Sequence, residues 1–191
     1  MNEKNVFEEA EREPSFIQEN YKSISKLFIN HIGMMVFGLI VLIATKMMNN
    51  VIFHIMGVFS ILMYMTLLYT AMWEAGAADK IKIDGGRKKR NLLSGFMFWA
   101  AANIASILFA VFIIAFYYIP ALGEICGTLQ LINNFYNGMY LSILNVVPAP
   151  FSYALILVPG LLVSGISYIL GVKGYKCLFP EPKRDRNERL R

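Results

Sequence analysis

Residues 73–91 read WEAGAADKIKIDGGRKKRN, with three carboxylates, Glu74, Asp79 and Asp84, among six lysines and arginines. Paired carboxylates can hold Mg²⁺ against a phosphate, and glycines followed by cations can cradle one. Neither pattern is complete. Gly85-Gly86 lacks the spacing of a phosphate-binding loop, and no Lys-Ser/Thr pair follows it. His31 and His54 sit near opposite ends of their apolar runs, about 20 Å apart along a helix axis at 1.5 Å per residue, too far to share a metal. The chain also lacks a Gly-x-Ser-x-Gly elbow and a His-Glu-x-x-His pair. The expectation is a non-enzymatic protein with no cofactor, no metal site and no nucleic-acid partner.

The elements that carry this stretch are apolar. Of 191 residues, 57% are hydrophobic and 16% charged, beyond the roughly 45–50% apolar share of soluble domains. Four runs, 27–45, 51–72, 95–118 and 152–171, approach the roughly 20 residues a helix needs to cross a bilayer. Segments on alternate sides of these runs hold 17 of the 18 lysines and arginines. Because cations accumulate in cytoplasmic loops, both termini and the 73–91 loop are expected inside. The fold class is therefore all-α: an integral membrane bundle of four transmembrane helices with an extra interfacial or re-entrant helix, its expected location the bacterial plasma membrane.

Three regions flank or interrupt the 27–171 domain. Residues 1–26 form an acidic lead-in without a signal-peptide pattern, and Ile17, Tyr21, Ile24 and Phe28 give it an amphipathic spacing. Between residues 119 and 151, Leu122, Ile125, Leu129, Ile132, Tyr136, Met139 and Ile143 recur at helical spacing, with Glu124, Thr128 and the asparagines on other faces. This pattern predicts a helix on, or dipping into, the outer interface. Residues 172–191 form a basic tail with no apolar period. Cys126 is expected outside and Cys177 inside, so no intrachain disulfide joins them.

Within the spans, Asn103 is the deepest strong polar group and is expected to hydrogen-bond between helices. Ala102, Ser106 and Ala110 make one small-residue seam; Gly160 with Ser164, then Ser167 with Gly171, make another. Such seams let helix backbones approach closely. At the inner surface, Arg87, Lys88, Lys89 and Arg90, with Lys173, Lys176, Lys183, Arg184 and Arg186, form a cationic collar. Asp84-Gly85-Gly86 marks a turn, and the preceding Lys80-Ile81-Lys82-Ile83 alternation admits a short hairpin.

The pattern Trp73-x-x-Gly76-x-x-Asp79, followed by Gly86, a basic stretch and Gly95, resembles uncharacterised small multi-pass membrane proteins of Gram-positive bacteria. That resemblance covers about two dozen residues and implies no activity. It implies that Trp73, Gly76 and Asp79 act together, with Asp79 capping a turn or pairing with a basic residue of the collar. The functional expectation is a membrane accessory or assembly component. Trp73, Gly76, Asp79 and Arg87 to Arg90 would contact anionic inner-leaflet lipid, a protein partner or a second copy of the chain. The alternative is a small oligomeric transporter or channel built around Tyr64, Asn103 and Ser164.

Overall fold

The computed structural model describes residues 15–45, 50–147 and 149–175; Lys176, Cys177, Lys183, Arg184 and Arg186 lie outside them. The described residues contain helices and no strand. They comprise α1 (Phe16–Thr45), α2 (Asn50–Asp84), α3 (Ser94–Ala102), α4 (Ile104–Tyr117), α5 (Gly123–Tyr136), α6 (Leu141–Leu144), α7 (Phe151–Leu155) and α8 (Leu157–Lys173). Single 3-10 turns cover Pro120–Leu122 and Gly138–Tyr140. Three helical stretches are long and apolar enough to cross a membrane, and the bent pair α3–α4 makes a fourth if it counts as one span.

The lead-in and the first span are a single 30-residue helix, so the expected boundary after residue 26 falls inside α1. Ser15 opens it in a reciprocal cap. Its Oγ accepts the Gln18 amide N–H, and its own N–H donates to Gln18 Oε1, which satisfies two otherwise orphaned donors. Helix α2 also outruns its expected span. Its 35 residues extend to roughly 52 Å at 1.5 Å per residue, well past a hydrocarbon layer of about 30 Å. Residues 73–84 are therefore helical rather than loop, and the hairpin does not form. Alanines and lysines are strong helix formers, and the Lys80–Asp84 ion pair at 2.7 Å links successive turns. Gly86, at φ +69°, ends the run in the expected turn.

The third apolar run breaks at Asn103, where α3 and α4 meet at 72°. Asn103 donates its side-chain amide to the Trp99 carbonyl, 3.1 Å away. A side chain competing for the i−4 acceptor loosens the helical ladder. Beyond the break, α4 and α5 pair as an antiparallel hairpin, because Ser106 meets Asn137 while Cys126 approaches the Ile113 carbonyl.

Helix α5 shows the two faces expected from the sequence, and the packing decides which one is buried. Its buried residues are Cys126 and Asn133, whereas Ile125, Leu131, Ile132 and Phe135 are exposed. The apolar face points outward and the asparagines point into the protein, as apolar surroundings require of polar groups. Cys126, expected on the outer side, is buried.

Helix α5 leads into the Gly138–Tyr140 turn, which packs directly on α1: a Cβ at Gly38 would fall on the Gly138 backbone, whereas one at Gly33 would meet nothing. Replacing Gly38 with Ala should therefore lower the unfolding midpoint in detergent by the equivalent of about 1–3 kcal/mol. Replacing Gly33 with Ala in the same helix should leave it unchanged or raise it. Equal effects would contradict this packing.

Candidate functional site

Two polar clusters lie at different depths of the bundle. The first gathers the start of α1, the end of α2, the start of α3 and the end of α8. Asp79 is buried there, its side chain 6% exposed and that of Lys88 13%. Lys88 comes from the loop after Gly86 and turns inward. It donates to Asp79 Oδ2 at 2.9 Å and to Asn20 Oδ1 at 3.2 Å, with Glu19 Oε1 at 3.4 Å. An ammonium has three donors and no acceptor, and three acceptors surround this one. Tyr168 of α8 completes the cluster by donating its hydroxyl to Asp79 Oδ2 at 2.8 Å. Lys82 approaches the other carboxylate oxygen at 3.6 Å.

Trp73, Gly76 and Asp79 share the face of α2 that meets α8. At Gly76 a side chain would strike the Tyr168 carbonyl, and at Gly171 it would strike the Trp73 carbonyl. The Trp73 indole donates to the Tyr175 carbonyl at 2.6 Å. Asp79 therefore pairs with a basic residue of the collar, the second of the two roles the resemblance implied, and that residue is Lys88. Arg87, Lys89 and Arg90 have no ion-pair partner among the described residues. Lys26 and Glu74 add an exposed ion pair between α1 and α2.

The second cluster lies about 22 Å along α2 from Asp79, counted as 15 residues from Tyr64. His31, Tyr64, Asn103, Ser106, Asn133 and Asn137 are all buried there. His31 Nε2 lies 3.2 Å from the Tyr136 carbonyl and Nδ1 lies 3.0 Å from the Tyr64 hydroxyl. A carbonyl only accepts, so Nε2 carries the proton. In the neutral ring, Nδ1 then accepts from Tyr64. The Tyr64 hydroxyl also donates toward Asn103 Oδ1 at 3.4 Å, so its one proton is divided between the two acceptors. A parallel chain runs through α4 and α5: Ser106 donates to Asn137 Oδ1 at 3.1 Å, and Asn137 donates to Asn133 Oδ1 at 2.8 Å.

Asn103 thus makes an interhelical bond, and His31 lies deeper in the packing than its place near the start of an apolar run implied. Ser164 does not join Tyr64 and Asn103; its hydroxyl is buried with no hydrogen-bond partner among the described residues, as is the Trp99 indole N–H beside Gly160. The small-residue seam divides at the bend. Ala102 packs in the main core, while Ala110 packs with Ile113, Cys126 and Tyr153. Glu19, Asn20 and Tyr168 escaped the sequence analysis, since nothing in one sequence marks which Tyr reaches a carboxylate 89 positions away. Asn133 and Asn137 were read only as asparagines away from the apolar face of their helix.

Among the described residues no three His, Cys, Asp or Glu side chains converge as metal ligands. Comparisons with protein-family models, curated proteins and solved structures give no match.

Removing one member of a buried ion pair costs about 3–5 kcal/mol, because the remaining charge is stranded. Lys88→Gln and Asp79→Asn should each lower stability on that scale, and the double variant should lose less than the sum. Arg87→Gln and Lys89→Gln should stay within about 0.5 kcal/mol of the parent. Denaturant titration in mild detergent distinguishes Lys88 from its neighbours.

Proposed function

We propose that the chain is a non-enzymatic integral membrane accessory or assembly component. Its cytoplasmic rim contacts the anionic inner leaflet or a protein partner. The observation that carries this reading is the division of labour in residues 87–90. Lys88 is consumed internally and fixes the loop, while Arg87, Lys89 and Arg90 are exposed beside it without an ion-pair partner among the described residues. Fixing the loop removes part of the ordering cost that a flexible basic segment pays on binding. Each cation held near an anionic surface contributes about 1 kcal/mol. The gathering of both described ends at one end of the bundle supports a common side for the termini, and the cation bias supports the cytoplasm as that side.

A second reading, a small oligomeric transporter or channel, draws on the helix break at Asn103 and the buried polar cluster around it. Discontinuous helices and intramembrane polar groups recur where solutes bind.

Changing Arg87, Lys89 and Arg90 together to Gln should preserve folding and weaken association with phosphatidylglycerol-containing vesicles, or with co-purifying proteins, by at least tenfold. Unchanged association would remove the accessory reading. Solute flux in proteoliposomes that disappears in Asn103→Leu, with folding retained, would establish the second reading instead.

A further inference from the structure

Where α2 ends beside the end of α8, Lys80, Asp84, Arg90, Lys173 and Tyr175 line a groove of about 400 Å³, with Ile83 and Val172 in its wall. We propose that this groove is a stoichiometric binding site for the phosphate headgroup of an anionic lipid. The inference rests on the accessory reading but assigns one chemical ligand to one place, rather than a diffuse attraction to the whole rim.

The charge balance in the groove supports it. Lys80 is spent on Asp84, at 2.7 Å, which offsets the one carboxylate that would repel an anion. Arg90 and Lys173 are exposed and have no ion-pair partner among the described residues. Two unmatched cations therefore face the same space. A guanidinium supplies five N–H donors and an ammonium three, which suits the several oxygens of a phosphate.

The end of α8 is prepared for an anion as well. A helix C-terminus carries partial negative charge on its free carbonyls, which would oppose phosphate. Gly174, in the left-handed region at φ +78°, folds the chain back. The Gly174 N–H then donates to the Gly171 carbonyl and the Tyr175 N–H to the Leu170 carbonyl. The Trp73 indole occupies the Tyr175 carbonyl. Three acceptors beside the groove are thus satisfied before any ligand arrives.

The remaining wall selects lipid over free phosphate. Ile83 and Val172 offer apolar surface beside the cations, matching the glycerol and first methylenes below a headgroup. The volume falls within the roughly 300–1,000 Å³ of ordinary ligand sites, more than a bare phosphate fills. Trp73 at the adjoining edge is of the residue type enriched at headgroup depth.

The test uses the full chain reconstituted in nanodiscs of phosphatidylcholine with phosphatidylglycerol, released and read by native mass spectrometry. One phosphatidylglycerol should remain bound per chain in preference to phosphatidylcholine. Arg90→Gln with Lys173→Gln should weaken that retention roughly 25-fold, about fivefold per cation. Arg90→Lys with Lys173→Arg should preserve it. Arg87→Gln with Lys89→Gln should leave the bound lipid in place while reducing vesicle association, so the groove and the general rim are read separately. Equal losses from both Gln pairs, or equal retention of both lipids, would overturn the groove and leave the accessory reading standing. Thermal protection by inorganic phosphate equal to that by phosphatidylglycerol would assign a free anion and overturn the lipid. Loss of neither vesicle association nor co-purifying proteins in either pair would overturn the accessory reading itself.

Discussion

The Lys88 ammonium carries three N–H donors into a space where water is largely excluded, and the arrangement around it follows from having to satisfy them. Asp79, Asn20 and Glu19 supply the acceptors from two different helices, and Tyr168 adds a donor to the same carboxylate from a third. A buried charge without partners is costly. The loop, α1, α2 and α8 are therefore held in one register. The close approach of α2 and α8 at Gly76 and Gly171 is the packing counterpart of that electrostatic tie, because Tyr168 reaches Asp79 only if the two backbones nearly touch.

The same rule operates deeper in the bundle with neutral groups. Asn103 breaks a span, yet its amide and carbonyl are both engaged by Trp99 and Tyr64. Helix α5 turns its asparagines inward and leaves its isoleucines outside. In water such a helix would be inside out. Against an apolar solvent an exposed amide would lack a partner whereas leucine and isoleucine need none, so this orientation is the one a membrane setting would favour.

These two clusters divide the molecule physically. The deep one consists of neutral hydrogen-bonding groups that tie α1, α2, α4 and α5 together around the helix break. The shallow one is ionic and gathers the ends of the helices that carry the free cations. A rigid scaffold below an array of unpaired arginines and lysines is suited to recognising anionic surfaces, because its charges are held in place before the ligand arrives.

Composition, the length of the apolar runs and the alternation of cations determined by themselves that the chain is helical, that several helices are long and apolar enough to cross a membrane, and that charge collects on alternate segments. These are properties of one residue after another and need no knowledge of what packs on what. The turn at Gly85-Gly86 and an interhelical role for Asn103 were legible for the same reason. Three matters were decided only by tertiary contacts. In Arg87-Lys88-Lys89-Arg90, four adjacent cations look alike, and only the position of Asp79, Asn20 and Glu19 in space selects Lys88 for burial. The amphipathic pattern of α5 reveals two faces but not which one points inward, since that depends on whether water or lipid lies outside. The meeting of His31 with Tyr64 and Tyr136 joins residues 33 and 105 positions apart, a separation across which local propensity carries no information.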